Sequence, residues 1–194
     1  MRLLIVTDIF GVCIGLSRLL QDLAAVASRV QLVDPYHGQA QHFADEQQAY
    51  AAYSAQCGHN AYGQCVASAL QTATAPFDFA IGFSAGASAL WRALAQADAD
   101  TVKQAILFYP GQIYQHLALT PQLPVQVVFG HSEPHFAVAD ICSQLQQQPG
   151  VTAVSTNYAH GFMNPASQAF SEAGYQQQLS KLLSLLSLGA GLEL

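Results

Sequence analysis

A serine flanked by glycines lies in the segment Gly82-Phe-Ser-Ala-Gly86, directly after the apolar run Phe77–Gly82. Gly-x-Ser-x-Gly between a strand and a helix is typical of a nucleophile elbow, a sharp turn that exposes the serine hydroxyl and requires small residues two positions away on each side. The same turn leaves the Ala85 N–H free at the start of a helix, where it can face negative charge. The alternative is that Ser84 is an ordinary helix N-cap. The strand–turn–helix context favours a nucleophile for acyl transfer.

A serine nucleophile requires a base, because its hydroxyl reacts poorly unaided. His160 follows the last apolar run of the chain, in agreement with the chain order serine, acid, histidine of nucleophile-elbow enzymes. His37 follows a strand on the far side of the first strand, and His116 lies in an irregular stretch, so both are less well placed. The alternative for His160 is a histidine on a surface loop. We predict His160 as the base.

The acid that orients the histidine is expected on the loop Phe129–His135, where Glu133 is the only carboxylate. One alternative is that Glu133 lies near a helix N-terminus, where a negative charge is favourable. Another is a metal site formed with His131 and His135. We predict Glu133 as the acid of a catalytic triad.

Other residues that could bind or react are harder to assign. Asp8 ends the first apolar run, and it either accepts N–H bonds in its own turn or belongs to the site. Cys57, His59 and Cys65 have no spacing typical of zinc sites, and the scattered cysteines are expected to be free thiols. The mechanism predicted here needs no metal and no organic cofactor.

Short apolar runs alternate with helical patterns along the chain, which is typical of a parallel α/β sheet. The predicted strands are Leu3–Thr7, Val30–Val33, Phe77–Gly82, Ala105–Tyr109, Val125–Phe129 and Val151–Thr156. Helices are predicted over Gly15–Ser28, directly after Ser84, over His135–Gln147 and over Ser167–Leu188. The segment from 36 to 74 is too long for one crossover, and we interpret it as a lid-like insertion with helices near Asp45–Gln56 and Asn60–Gln71.

The composition of the chain limits the classes of protein and of partner that need to be considered. The 194 residues, 52% hydrophobic and 9% charged, exclude disorder and predict a single domain over 1–194. The net charge of −6, without any basic run, argues against nucleic acid or an anionic membrane as partner. No stretch approaches 18 apolar residues, and the N-terminus reads as a strand rather than a secretory signal, so a cytoplasmic location is expected. The oligomeric state stays open.

Four stretches resemble the dienelactone hydrolase family of α/β-hydrolases, and together they span nearly the whole chain. They are Thr7-Asp-Ile-Phe-Gly-Val12, Gly82-Phe-Ser-Ala-Gly86, Gly130-His-Ser-Glu133 and His160-Gly-Phe162. The resemblance implies Ser84 as nucleophile, His160 as base, Glu133 at the acid position, and an oxyanion hole from the Ile9 and Ala85 N–H groups. The expected fold is a compact α/β-hydrolase, a mostly parallel six-stranded sheet in the order 2-1-3-4-5-6 with helices on both faces.

The chain departs from this family at four positions. The dienelactone enzymes have cysteine in place of Ser84, usually Asp in place of Glu133, and usually Glu in place of Asp8. They also carry an arginine shortly after the histidine, where this chain has Met163-Asn164-Pro165. The last departure argues against dienelactone itself as substrate.

The expected pocket is apolar and carries no fixed charge. Its predicted lining is Phe10, Phe83, Tyr109, Phe162 and Met163, with Tyr36 and the 36–74 segment as cover. Of the six lysines and arginines, only Arg18 could approach it. Because the apolar lining suits neutral acyl groups, neutral short-chain esters should be better substrates than cis-dienelactone. The predicted function is a serine hydrolase of small esters, lactones or thioesters. Acyl transfer, amide cleavage, and binding of a small ligand without turnover stay open.

Overall fold

A computed structural model describes residues 1–190 of the chain, and the side chains of residues 1–187. Six strands form one sheet in the order β2-β1-β3-β4-β5-β6, and every neighbouring pair is parallel. The strands are β1 Arg2–Val6, β2 Arg29–Val33, β3 Phe77–Phe83, β4 Val102–Phe108, β5 Val125–Phe129 and β6 Val151–Ser155. The predicted strand order is confirmed, and the sheet is parallel throughout.

Helices cover both faces of the sheet, as predicted. They are α1 Ile14–Leu23, α2 Glu46–Gln56, α3 Gly58–Gln71, α4 Ala85–Leu94, α5 Val138–Leu145 and α6 Glu172–Ala190. One core cluster joins the sheet to α3, α4 and α5, and a second joins its other face to α1 and α6. Parallel strands covered on both faces must be apolar on both faces, and the central strands β1 and β3 are almost entirely buried. Among the described residues, no helix has the length and apolar character needed to cross a membrane.

Three helices differ from the sequence prediction because local turns compete with the helical pattern. Helix α1 ends at Leu23 rather than near Ser28, since the following N–H groups close tight turns and the Ser28 N–H donates to the Met1 carbonyl at the start of β2. Helix α5 begins at Val138 rather than His135. Helix α6 begins at Glu172 rather than Ser167. Strand bounds differ by at most three residues, and β5 agrees at both ends.

The two helices of the segment from 36 to 74, which sequence analysis interprets as a lid-like insertion, contribute side chains to the core. Both helices are where the sequence places them, but Tyr53 and Tyr62 are fully buried. The Tyr62 hydroxyl donates to the carbonyl oxygens of Thr7 and Val33 at 2.8 and 3.1 Å, which ties α3 to the ends of β1 and β2. These contacts argue against a lid that opens freely, because α3 packs on α4 and β2, and α2 packs on α3 through the Tyr53 and Tyr62 rings.

Because all six strands are parallel, their carboxyl ends meet at one edge of the sheet. Ser84 follows β3, the loop carrying Glu133 follows β5, and the loop carrying His160 follows β6. Strand β6 lies at the border of the sheet and pairs in register with β5, Phe129 opposite Ser155. The topology alone brings the three side chains to a common edge.

Candidate active site

Ser84 occupies a strained turn between β3 and α4. Its φ of 51° and ψ of −116° lie outside the regions that L-residues ordinarily adopt. Both flanking positions require glycine for steric reasons. A Cβ on Gly82 would lie 2.7 Å from the Ala87 Cα, and a Cβ on Gly86 would lie 2.1 Å from the Thr7 carbonyl oxygen. Gly86 thus allows the start of α4 to pack directly against the end of β1.

A continuous chain of hydrogen bonds joins the three predicted catalytic residues. The Ser84 Oγ is 2.8 Å from the Nε2 of His160. The Nδ1 of His160 is 2.9 Å from Oε1 and 2.8 Å from Oε2 of Glu133. The Glu133 side chain is 1% exposed and the His160 side chain 34% exposed. The carboxylate is therefore shielded from water, whereas the imidazole borders the surface from which a substrate would arrive.

The loops that carry the acid and the base are fastened to each other. The His131 N–H donates to the Tyr158 carbonyl at 2.7 Å, and the Thr156 N–H donates to the Phe129 carbonyl at 3.0 Å. A Cβ on Gly130 would lie 2.9 Å from the Tyr158 carbonyl oxygen, so only glycine permits this approach. Both loops are held at their bases, next to the β5–β6 pairing.

The alternative interpretations of Glu133 do not agree with the geometry. Helix α5 begins five residues later, at Val138, so Glu133 does not lie in its first turn. His131 bonds through Nδ1 to the Tyr158 carbonyl at 2.9 Å, and the His135 ring packs near Tyr114. In the part of the chain that the structure describes, no group of three or more histidines, cysteines or acids could hold a metal ion.

The loop after β1 is organised around Asp8, which is buried. Its Oδ1 accepts from the Phe10 N–H at 2.9 Å, and its Oδ2 accepts from the Asn164 side-chain amide at 2.7 Å. Burial raises the pKa of Asp8, although both hydrogen bonds act in the opposite direction. The carboxylate thus serves its own turn, as the first alternative predicts, and also links this turn to the segment after His160.

Two backbone N–H groups at this edge are free to donate. The Ile9 N–H has no backbone acceptor among the described residues, and the Ala85 N–H lies in the first turn of α4, where N–H groups have no intrahelical partner. The Ile9 carbonyl accepts from the Tyr36 hydroxyl at 2.7 Å. Tyr36 therefore holds the loop after β1 in place through this hydrogen bond. It does not cover a pocket, contrary to what sequence analysis predicts for this side chain.

The aromatic residues predicted to line the pocket are buried around the triad. The Tyr109 ring centroid lies 4.9 Å from that of His160 and 5.4 Å from that of Phe162, so these rings support the imidazole. Phe83 stacks on Phe108, and Phe10 is likewise buried. Phe83 and Met163 do line a cavity, of about 30 Å³, together with Asp8 and Asn164. Most of the residues predicted to line the pocket therefore pack against one another and do not border an open cavity.

Arg18, the one cation that sequence analysis allows near the pocket, is engaged elsewhere, and a different arginine lies near the elbow. The Arg18 guanidinium makes a two-bond pair with the exposed carboxylate of Glu172. Arg92, on α4, borders a cavity that begins at Ala85. The spacing between Ser84 and Arg92 is the sequence signal that could have placed Arg92 near the elbow. Positions four and eight residues after Ser84 lie near one helix face, and helical side chains lean back toward the N-terminus.

Solved structures share this fold across nearly the whole chain. The dienelactone hydrolase-like promiscuous phosphotriesterase P91 from metagenomic libraries is 16% identical, with 96% of this chain and 85% of that chain covered at a TM-score of 0.69. A hydrolase of the alpha/beta superfamily from Xanthomonas campestris is 12% identical, with 96% of both chains covered at 0.62. Alpha/beta hydrolase domain-containing protein 10 from mouse is 11% identical, with 96% and 89% covered at 0.68. At these identities the likeness establishes the α/β-hydrolase fold.

Sequence comparison gives the family. No curated protein matches the chain. The model of the dienelactone hydrolase family matches residues 2–188, which is nearly the full length. The chain therefore belongs to the dienelactone hydrolase family, a family of hydrolases.

Proposed function

We propose that the protein is a serine hydrolase that cleaves small esters, lactones or thioesters through an acyl-enzyme. The observation that carries this proposal is the pair of hydrogen-bonded contacts at His160, of Nε2 with the Ser84 hydroxyl and of Nδ1 with the Glu133 carboxylate. Such a chain of nucleophile, base and orienting acid is what activates a serine hydroxyl near neutral pH.

The roles follow from what each atom faces. With its Nδ1–H donated to Glu133, the imidazole keeps the Nε2 lone pair for the Ser84 hydroxyl proton. Ser84 Oγ attacks the carbonyl carbon, and the oxyanion of the tetrahedral intermediate accepts from the Ile9 and Ala85 N–H groups. His160 then passes the proton to the leaving oxygen or sulfur as the acyl-enzyme forms. Water, deprotonated by His160, attacks the acyl carbonyl, and the proton returns to Ser84 Oγ as the acid is released.

Labelling with a fluorophosphonate, combined with p-nitrophenyl acetate hydrolysis, tests this assignment. The probe reacts only with an activated serine, so we expect stoichiometric labelling of Ser84 that is lost on heat denaturation. The Ser84→Ala variant should not be labelled, and its kcat should fall by about 10³-fold or more. An unlabelled native protein would favour a ligand-binding protein without turnover.

Iodoacetamide provides the matched control for the nucleophile. The four cysteines are free and half-buried, and burial raises the pKa of Cys13, Cys57 and Cys142, so little reactive thiolate forms near neutral pH. We expect full activity after alkylation. Loss of activity on alkylation, with retained activity in Ser84→Ala, would show that a cysteine performs the reaction.

A further inference from the structure

A second cavity, distinct from the one at Asp8, opens beside the nucleophile elbow. Its volume is about 70 Å³, and it lies between the N-terminal turn of α3, the outer face of α4 and the 3₁₀ turn at Ile113–Gln115. It begins at Ala85, the residue after Ser84, and reaches Arg92. A water molecule occupies about 30 Å³ in the liquid, so the space can hold a small polar group larger than one water.

Arg92 is fixed at the far end of this cavity. Its Nη1 donates to the His59 carbonyl at 3.1 Å and its Nη2 to the Asn60 Oδ1 at 3.4 Å. A Cβ on Gly63 would lie 3.3 Å from the guanidinium carbon, so Arg92 packs closely against α3. A guanidinium has five N–H donors, and these two bonds leave three of them available.

No ion pair among the described side chains balances the charge of Arg92. The ion pairs among the side chains of residues 1–187 join Arg18 and Lys103 to acids and His160 to Glu133, and none includes Arg92. The residues around the cavity contribute amides, a hydroxyl and imidazoles but no carboxylate. An anion that enters the cavity would therefore meet a guanidinium without a competing carboxylate on the wall, at a half-buried position where charge attraction is stronger than in open water, and this favours an anionic occupant.

Two histidines complete the polar wall of the cavity. Burial lowers the pKa of both His59 and His116, and the nearby Arg92 charge lowers both further. Both imidazoles are therefore neutral near pH 7, and Arg92 supplies the positive charge. The Gln112 N–H donates to Ser88 Oγ at 3.0 Å, which fixes this part of the wall, and the preceding residue, Gly111, lies close to His160.

We propose that this cavity binds a carboxylate at the distal end of the substrate acyl chain, and that Arg92 is the specificity-determining residue. The inference rests on the proposed function, since it places the acyl carbonyl at Ser84. Arg92 begins about 12 Å along the axis of α4 from Ser84, and its side chain leans back by roughly one turn, about 5 Å. The remaining span of about 7 Å suits a monoester of a dicarboxylic acid near glutarate in length.

The cavity is not in the position where the dienelactone enzymes carry their arginine after the histidine. That stretch is Met163-Asn164-Pro165 here, and Met163 belongs to the core on the α1 and α6 face of the sheet, whereas the Arg92 cavity lies on the α3 and α4 face. The expectation of neutral substrates was based on the lack of a cation near the site. The position of Arg92 removes that basis.

Kinetics with paired esters test the proposal. We compare kcat/KM for mono-p-nitrophenyl glutarate with kcat/KM for p-nitrophenyl butyrate, which is neutral, and include the succinate and adipate half-esters to measure the span. We expect the glutarate to butyrate ratio to exceed one in the wild-type protein. It should fall by about 10- to 100-fold in Arg92→Gln, in line with the loss of one charged hydrogen-bonded pair. Taking the ratio removes any loss common to both esters.

Two further variants complete the comparison. Arg18→Gln removes a surface cation of the same kind and should leave the ratio unchanged, whereas Arg92→Lys should retain part of the preference. An unchanged ratio in Arg92→Gln, or an equal fall in Arg18→Gln, would overturn the assignment.

A binding measurement separates this inference from the proposed function. In the Ser84→Ala protein, calorimetric titration with monomethyl glutarate should show binding that Arg92→Gln abolishes. If the wild-type protein hydrolyses neither ester but this binding is seen, the proposed hydrolase activity fails and the subsite stands. If no Arg92-dependent binding is seen, the subsite is wrong whatever the hydrolysis result.

Discussion

Both carboxylate oxygens of Glu133 face a single atom, the Nδ1 of His160, at 2.9 and 2.8 Å. The extra methylene of Glu relative to Asp is accommodated because the acid loop bends back at a bridge between Glu133 and Phe136 before α5 begins. The longer acid is therefore compatible with the geometry of a triad, although the resembling enzymes usually have Asp there.

Glu133→Gln should abolish most turnover while leaving the fold intact. The neutral amide can donate to Nδ1 and so favour the wrong tautomer, which costs about 10⁴-fold in kcat where an equivalent acid has been changed. We expect kcat for p-nitrophenyl acetate to fall by roughly that factor, with the urea midpoint of unfolding almost unchanged. A loss of stability that accounts for the loss of activity would assign Glu133 a structural role instead.

Gly86→Ala should prevent formation of the elbow. The new Cβ would meet the Thr7 backbone oxygen at 2.1 Å, and neither strand β1 nor helix α4 can move without disturbing the core. Overpacking against backbone is expected to cost about 3 kcal/mol or more of unfolding free energy, measured by urea denaturation.

Gly111→Ala is the matched control for this substitution. A Cβ there would lie 3.4 Å from Cε1 of His160, which is an ordinary contact, so stability should stay within about 0.5 kcal/mol. Equal destabilisation by the two substitutions would refute the steric account of Gly86.

Tyr36→Phe should lower kcat more than it changes KM. The lost hydroxyl supports the Ile9 carbonyl, and the loop it holds carries the proposed oxyanion donor, which acts mainly in the transition state. One neutral hydrogen bond is worth about 0.5–1.5 kcal/mol, so we expect kcat to fall by about 2- to 10-fold. Tyr50→Phe, at a tyrosine that is half exposed on α2, should leave kcat unchanged, and a kcat in Tyr36→Phe that equals this control would argue against the supporting role.

Asp8→Asn should alter how stability depends on pH. Burial raises the pKa of Asp8 in the folded protein, so the folded state binds this proton more tightly than the unfolded state. The contribution of Asp8 to stability is thus largest at low pH, and it decreases as pH rises from the unfolded pKa through the folded pKa. We expect the destabilisation caused by Asp8→Asn to be smaller at pH 7.5 than at pH 4.5 in urea denaturation, and the opposite trend would contradict the assignment.

The sheet and its carboxyl-end residues were predictable because they depend on local patterns. A five-residue apolar run such as β5, followed at once by Gly130, is readily identified as a buried strand of a parallel sheet. The elbow was predictable because Gly-x-Ser-x-Gly between an apolar run and a helix is a local pattern, although the close contact of Gly86 is with Thr7, which is distant in the sequence. Helix ends were less predictable. Val26 continues the apolar spacing of α1, but the chain must turn at Leu23 to enter β2 beside β1.

Contacts between distant parts of the chain escaped sequence reasoning. The burial of Tyr53 and Tyr62 depends on α3 packing against α4, and the apolar pattern of the 36–74 segment does not reveal which face is covered. The positions of Arg18 and Arg92 were not predictable for the same reason. The partner of Arg18 is Glu172, 154 residues away, and the cavity at Arg92 exists only because α3 begins beside it.

The placement of the acid and the base on neighbouring strands at the border of the sheet affects how the protein inactivates. Within residues 1–190, strand β6 pairs with β5 alone, and Val154 on it is 45% exposed. A slip of β6 by two residues would carry His160 about 6.6 Å along the strand direction, at 3.3 Å per residue, while the five other strands keep their register. On heating, we therefore expect activity to be lost when the pairing of β6 with β5 fails, before the central strands of the sheet unfold.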